Sequence, residues 1–89
     1  MTVTAAKIQD CLMSLVKMRG PGKTICPSEV ARTLEPSNWR SLMPQVRAVG
    51  IALVNAGQIV VTQKGQVVDP SVVKGPIRYR LKPQPQTPQ

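Results

Sequence analysis

Apolar residues recur at helical spacing in the first part of the chain. The first such segment runs from about Thr4 to Arg19 and predicts an amphipathic helix, because its apolar residues fall on one side at this period. Gly20-Pro21-Gly22 then ends it, since glycine and proline interrupt helices. The residues that form the apolar side are Ile8, Cys11, Leu12, Leu15 and Met18.

Two further helices follow. A short one is predicted to begin near Pro27, because proline at the first helical position and the acid Glu29 close behind are start signals, and Glu35-Pro36 ends it. A third begins near Ser37 or Asn38, either of which can cap it, and continues to Asn55. Pro44 within it predicts either a kink or a short turn before the main helix.

The period changes to two in the last part of the chain. Residues 58–63 read as a strand, Lys64-Gly65 starts a loop that runs to Gly75, and residues 77–82 read as a second strand. The alternation in this second strand places apolar and basic side chains on opposite faces. The apolar face holds Ile77, Tyr79 and Leu81, and the basic face holds Arg78, Arg80 and Lys82.

This order of elements predicts one winged helix-turn-helix domain over residues 1–82, mainly α with a β-hairpin: three helices followed by a two-stranded wing. The rival interpretation is a generic three-helix bundle with a β appendage that serves only for assembly. Residues 83–89 contain three prolines and no large apolar side chain, and we expect a disordered Pro/Gln tail there.

The net charge of +8 comes from twelve Lys and Arg against four Asp and Glu, and most of the excess follows Pro36. Such an excess favours a polyanionic partner, although a merely solvated basic surface is the alternative. We expect no signal peptide, no membrane span and a cytoplasmic location with Cys11 and Cys26 as free thiols. The absence of histidine removes the usual general base and the commonest metal ligand, so we expect no enzyme activity, no metal and no cofactor.

Four segments together carry a resemblance to a known family. They are residues 19–32 (RGPGKTICPSEVAR), 39–44 (WRSLMP), 61–65 (VTQKG) and 75–78 (GPIR). In this order they resemble a family of small bacterial proteins classed only as a domain of unknown function, over roughly Ile8 to Leu81. The resemblance implies a winged-helix-like fold and no established activity. The resemblance also implies that some relatives carry an added cysteine-rich module that looks zinc-binding, and residues 1–89 do not contain such a module.

The basic strand face is the first candidate site. Arg78, Arg80 and Lys82 at alternate positions would follow a phosphate backbone, and Lys64 and Lys74 in the wing loop would add to the same region. Such contacts give affinity without sequence information. The alternative is that the outer face of an exposed hairpin is polar simply to discourage edge-to-edge pairing.

The third helix would be the recognition helix. Arg40 and Arg47 fall on one flank and Gln45 on the other, and these side chain types read guanine and adenine edges. The middle of its outward face offers few hydrogen bonds, however, so we expect little sequence preference. Ile51 is predicted to be exposed there, which favours a protein partner or a homodimer as the alternative function. Trp39 is expected to pack in the core.

Two motifs near the second helix could carry chemistry, and each also has a simpler explanation. Gly20-Pro21-Gly22-Lys23-Thr24 resembles the end of a phosphate-binding loop, but it lacks the first glycine and follows a helix, which excludes nucleotide hydrolysis. A plain turn is preferred over a phosphate site made with Arg19 and Lys23. Cys26, at the cap of the second helix, is a candidate reactive thiol, because the helix dipole and Lys23 favour a thiolate there. The alternative is an inert, partly buried cysteine.

The sequence therefore favours a winged-helix protein that binds nucleic acid, most simply double-stranded DNA. In this interpretation the basic wing contacts phosphates and the third helix lies in or near a groove.

Overall fold

The computed structural model describes residues 3–83, and the chain folds into three helices followed by three strands. Helix α1 spans Ala5–Arg19. It begins where the Thr4 hydroxyl accepts the Lys7 N–H at 3.2 Å, and it ends where Gly20 takes a φ of 99° that other residues rarely adopt. Both ends lie within a residue of the predicted ones.

Helices α2 and α3 form the helix-turn-helix. Helix α2 spans Pro27–Leu34 and α3 spans Trp39–Asn55, with Asn38 at the N-cap of α3. Pro44 lies inside α3, which continues as an α-helix on both sides of it, so a turn that separates Pro44 from the main helix is not present. A proline lacks only one helical N–H, and the packed face of α3 compensates for that loss.

The β part contains one strand more than predicted. Strands β1 (Ile59–Gln63), β2 (Gln66–Val68) and β3 (Arg78–Leu81) form an antiparallel sheet in the order β2-β1-β3. The predicted two strands pair as expected, but the predicted loop after Lys64-Gly65 contains β2. Lys64 and Gly65 have φ values of 54° and 82°, and two such residues make the tight hairpin turn that allows β2 to fold back on β1.

The segment before α2 also joins the sheet. Ile25 and Tyr79 form an isolated antiparallel bridge with N–H···O distances of 2.9 and 2.8 Å in the two directions. Because Tyr79 belongs to β3, this bridge fixes the start of α2 against the sheet. The result is a winged-helix-like layout in which the hairpin and the helix-turn-helix share one frame.

A single core joins the helices to the inner face of the sheet. Tyr79 is 1% exposed, and its ring lies so close to Gly50 of α3 that a Cβ added there would be 2.5 Å from the phenolic oxygen. Trp39 is half-buried and packs against this core, as expected. The fully buried side chains from α1, α2 and α3 include Ile8, Leu12, Val16, Val30 and Val46, and those from the sheet include Ile59 and Val61.

Within residues 3–83, no helix has the length and apolar character needed to cross a membrane. The predicted domain, residues 1–82, includes all of these residues except Pro83. Of the predicted Pro/Gln tail, residues 84–89 lie outside the described residues.

Candidate nucleic-acid interface

The alternation predicted for β3 is present. Ile77 and Tyr79 are buried, while Arg78 and Lys82 are exposed and Arg80 is half-buried. Arg78 and Arg80 share one face of β3 because alternate residues of a strand point the same way. They pair with Thr62 and Val60 of β1. Part of Arg80 is enclosed: its Nε is buried and has no hydrogen-bond partner within residues 3–83.

The five predicted wing cations do not form one patch. Lys82 lies at one end of β3, where its N–H bonds to the Gln58 carbonyl and its amino group reaches over Gly57. Lys64 lies at the other end of β1, in the hairpin turn. A strand of five residues separates the two ends of this surface, so one phosphate contact cannot involve both lysines.

Arg78 faces the start of α2 rather than the wing tip. Its guanidinium donates to the Thr24 hydroxyl at 3.4 Å. Its charge also contributes to a lowered pKa of Glu29, which shows that an acid lies within electrostatic reach. Arg78 is therefore the wing cation with the most direct internal partner, although its side chain remains exposed.

The wing loop is held in place by hydrogen bonds. Gln63 donates through Nε2 to the carbonyls of Lys74 at 2.6 Å and Pro76 at 3.2 Å. Asp69 accepts the N–H and the hydroxyl of Ser71 at 2.9 and 2.7 Å, and these bonds lower the pKa of Asp69. The backbone of Lys74 is thus positioned while its side chain is exposed. Gln63 and Asp69 therefore shape the wing loop.

The solvent-exposed face of α3 carries no charge along its centre. Arg40 is exposed and Arg47 is half-buried, and both lie on one flank, whereas Gln45 is exposed on the other. Ile51 is half-buried, so its predicted exposure is wrong, and it offers a partner less apolar area than expected. The exposed central residues are Ser41, Pro44, Ala48, Ala52 and Asn55.

The two flanks of α3 face different elements. Gln45 lies beside a groove of about 270 Å³ that α3 forms with Val3 and Ala5 at the start of α1. Arg47 lies beside a groove of about 310 Å³ that separates α3 from Cys26 and Pro76. Gln45 and Arg47 therefore cannot reach a single base pair together, because α3 itself lies between them.

The structure shows a cationic cluster that the sequence analysis missed. The guanidinium carbon of Arg32, in the last turn of α2, lies 4.3 Å from the centroid of the Trp39 ring, and that of Arg40 lies 4.5 Å from it. Arg32 and Trp39 belong to different helices, so no spacing rule connects them. Trp39 and Arg40 are adjacent, and neighbours in a helix do not normally face each other. Only the adjacency of a tryptophan and an arginine was visible in the sequence.

The opposite end of α2 holds a neutralised arginine. Arg19 donates to Glu29 at 2.6 Å and to the Thr24 carbonyl at 2.9 Å. The Glu29 carboxylate also accepts the Cys26 N–H at 2.7 Å, as in a capping box. Partial burial by itself would raise the pKa of Glu29. The hydrogen bonds from the Cys26 N–H and from Arg19 lower it by more, so the pKa lies below its ordinary value. These bonds favour a structural turn over a phosphate site at Arg19.

Neither cysteine has a partner that would make it a metal or catalytic site within residues 3–83. Cys26 is half-buried, and the anion position at its helix terminus is taken by the Glu29 carboxylate. Cys11 is half-buried against the core, and burial raises the pKa of its thiol. No cluster of three potential metal-ligating side chains occurs in this part of the chain.

Comparison with known protein families assigns the chain to one of them. A family model described as "Protein of unknown function (DUF3253)" matches residues 5–82, which is all three helices and all three strands. The chain therefore belongs to this family, in agreement with the resemblance seen in its motifs. No curated protein matches the chain. The family carries no assigned activity, so a function has to be argued from the geometry.

Proposed function

We propose that this protein binds double-stranded nucleic acid, most simply DNA, mainly through phosphate contacts and with little sequence preference. The observation that carries the proposal is the lack of internal compensation for its positive charge. Within residues 3–83 the only salt bridge joins Arg19 to Glu29, although all twelve Lys and Arg lie in this region. Cations without carboxylate partners attract the phosphate backbone and release its counterions.

The winged-helix-like layout supplies a suitable shape for such binding. A helix-turn-helix presents α3 to a groove, and a wing held by Gln63 and Asp69 presents Lys64 and Lys74 beside it. Arg78, Arg80 and Lys82 extend the positive surface along β3. Each contact of this kind supplies affinity and register.

The exposed face of α3 is the reason for expecting little sequence preference. Direct readout needs side chains that make paired hydrogen bonds to base edges, and the centre of this face offers Ser41 and Asn55 at its two ends only. Arg40, Gln45 and Arg47 are the side chains with such capacity, and they lie on separate flanks. Phosphate contacts therefore outweigh base contacts in the proposed complex.

The direct test is a fluorescence-anisotropy titration of labelled duplexes with the full chain. We expect micromolar affinity at low salt that falls steeply as salt is raised, and similar affinities for unrelated sequences. Arg78→Gln/Arg80→Gln should weaken binding equally for every duplex. The matched control is Lys7→Gln/Lys17→Gln, which removes the same charge from exposed positions on α1. Absence of binding by the unaltered protein at low salt would contradict the proposal.

One observation favours a second function, an interface with another protein or a second copy. The uncharged centre of α3 adjoins the groove of about 270 Å³ next to Val3, and neutral surfaces with an apolar groove are typical of protein contacts. Light scattering coupled to size-exclusion chromatography tests the homodimer version. A monomer over the whole accessible concentration range would exclude it.

Both functions are binding functions, and we propose no catalytic activity and no cofactor. A role on DNA would be exercised in the cytoplasm of a bacterial cell, where Cys11 and Cys26 would remain reduced.

A further inference from the structure

We infer that Arg32, Trp39 and Arg40, here called the α2–α3 corner, form a phosphate-binding site for the nucleic-acid backbone. This inference rests on the proposed function and assigns its principal contact to a place other than the wing. The corner joins the end of α2 to the first turn of α3, where a helix-turn-helix approaches the backbone of a duplex.

The two arginines are positioned by the same indole ring. Each guanidinium carbon lies within 4.5 Å of the Trp39 centroid, which is close enough for a cation–π contact. Trp39 is itself half-buried against the core, so its ring is a fixed platform rather than a mobile side chain. Two positive charges are therefore held on one indole ring.

Nothing within residues 3–83 neutralises this pair. Neither Arg32 nor Arg40 donates a side-chain hydrogen bond or forms a salt bridge there, and both are exposed. A guanidinium that lies on an aromatic ring uses its flat face and leaves the N–H groups at its edge free. Such an edge matches a phosphate, whose oxygens accept paired hydrogen bonds and whose negative charge compensates the arginine.

The other arginines of the chain are less suited to this role. Arg19 is bound to Glu29, and Arg78 bonds to Thr24. Arg80 has a buried Nε, and Arg47 is half-buried. These contacts reduce either the charge or the number of donors that a phosphate would meet. At the α2–α3 corner two arginines share one indole ring, and neither donates a side-chain hydrogen bond within residues 3–83.

The tryptophan at the corner is also the reporter for the experiment. Trp39 is the only tryptophan of the chain, so intrinsic fluorescence reads this site alone. Unlabelled random-sequence duplex is titrated into the full-length protein while Trp39 emission is followed, in parallel with anisotropy of a labelled duplex. We expect a saturable change in emission with the same midpoint as the anisotropy, because a phosphate bound at the edges of the guanidinium groups changes the charge beside the Trp39 ring.

Three variants sharpen the test. Arg32→Gln/Arg40→Gln should weaken duplex binding at least several-fold more than Lys7→Gln/Lys17→Gln, and should lower the slope of log affinity against log salt by about 1, the value for one phosphate. Trp39→Phe keeps both arginines but offers them a weaker cation–π contact. Its affinity for the duplex should lie between that of the unaltered protein and that of Arg32→Gln/Arg40→Gln. Circular dichroism confirms that each variant is folded.

The outcomes separate the two proposals. If duplex binds but Trp39 emission stays constant and the two double variants bind equally, the α2–α3 corner is not the phosphate site and the proposed function stands. If no duplex binds to the unaltered protein at low salt, both proposals fail. If polyglutamate changes Trp39 emission at the same charge concentration as the duplex, the site recognises carboxylates, and the inferred phosphate site is overturned.

Discussion

Each end of α2 lies beside an arginine of a neighbouring helix, Arg19 of α1 at the first end and Arg40 of α3 at the other, and these two arginines have different partners. At the first end, Arg19 meets the Glu29 carboxylate and the Thr24 carbonyl. At the other end, Arg40 and Arg32 meet only the face of Trp39. The first arrangement consumes the donors and the charge, whereas the second preserves both. A count of basic residues would have treated all three arginines alike, yet only the second arrangement suits a phosphate.

Helix α3, which carries Trp39 and Arg40, packs on Tyr79 at Gly50, and breaking this contact should have the largest effect. In Gly50→Ala the new Cβ would lie 2.5–2.8 Å from the Tyr79 ring and its oxygen, and a buried ring has little room to move. We expect a net loss of about 2 kcal/mol, because overpacking outweighs the better helix propensity of alanine. Urea unfolding followed by circular dichroism measures it.

The control for this prediction replaces Tyr79, which packs against α3 at Gly50, by a smaller residue. In a Tyr79→Leu background the same Gly50→Ala change should cost little or even stabilise the protein. An equal loss in both backgrounds would show that the ring is not the cause.

Tyr79 also predicts a loss of stability at alkaline pH. Burial raises the pKa of Tyr79 to about 12 against 10.0 for a free tyrosine, while the Arg47 charge opposes the shift. Because the pKa is raised in the folded protein, the contribution of protonated Tyr79 to the free energy of unfolding is fully present below pH 10. About 2–3 kcal/mol of it is lost as the pH rises towards 12. Because Tyr79 is the only tyrosine, phenolate absorbance reports it alone.

Tyr79→Phe is the matched variant for the alkaline prediction. The Tyr79 hydroxyl is buried and has no hydrogen-bond partner within residues 3–83. Its removal should therefore leave the free energy of unfolding near neutral pH unchanged or slightly raised. The difference between the two proteins should grow above pH 10. Parallel pH profiles would contradict the predicted burial of the ionising group.

Glu29→Gln would leave Arg19, at the first end of α2, without a carboxylate partner, as Arg32 and Arg40 are at the other end. The change removes the partner of Arg19 and weakens the cap on the Cys26 N–H, and we expect a loss of about 1 kcal/mol. Duplex affinity should rise slightly, because Arg19 becomes an uncompensated cation. Thermal unfolding and duplex anisotropy measure the two effects.

The pH dependence of the free energy of unfolding at acid pH tests the role of Glu29 as well. The lowered pKa of Glu29 means that its stabilising contribution is present above the value for a free glutamate and is lost as pH falls through the folded value. The Glu29→Gln protein should therefore lose less stability on acidification than the unaltered protein. Identical acid limbs would count against the Arg19–Glu29 contact.

The smallest expected effects come from exchanging single arginines. Arg19→Gln should lower the free energy of unfolding by up to about 1 kcal/mol and leave duplex affinity nearly unchanged. Arg40→Gln should leave stability nearly unchanged, because its contact with Trp39 is exposed, and should weaken duplex binding. If both variants changed the same quantity, the distinction between the two ends of α2 would fail.

Much of the fold was predictable from the order of the residues because its signals are local. Helix ends followed from Gly20, Pro27 and Asn55 to within a residue or two, and the alternation of β3 followed from its period. Strand β2 was missed because three residues carry too short a pattern, and because its turn depends on a positive φ at Lys64. The bridge between Ile25 and Tyr79 was missed because single residues far apart in the chain leave no periodic signal.

The sequence by itself determined the class of fold, the excess of positive charge and the side chains that carry it. Only the tertiary structure decided which cations are neutralised and which are left free. Arg19 and Glu29 are ten residues apart, and Arg32 and Trp39 belong to different helices, so their contacts depend on how α1, α2 and α3 pack. Charge is a property of each residue, whereas its compensation is a property of neighbours in space.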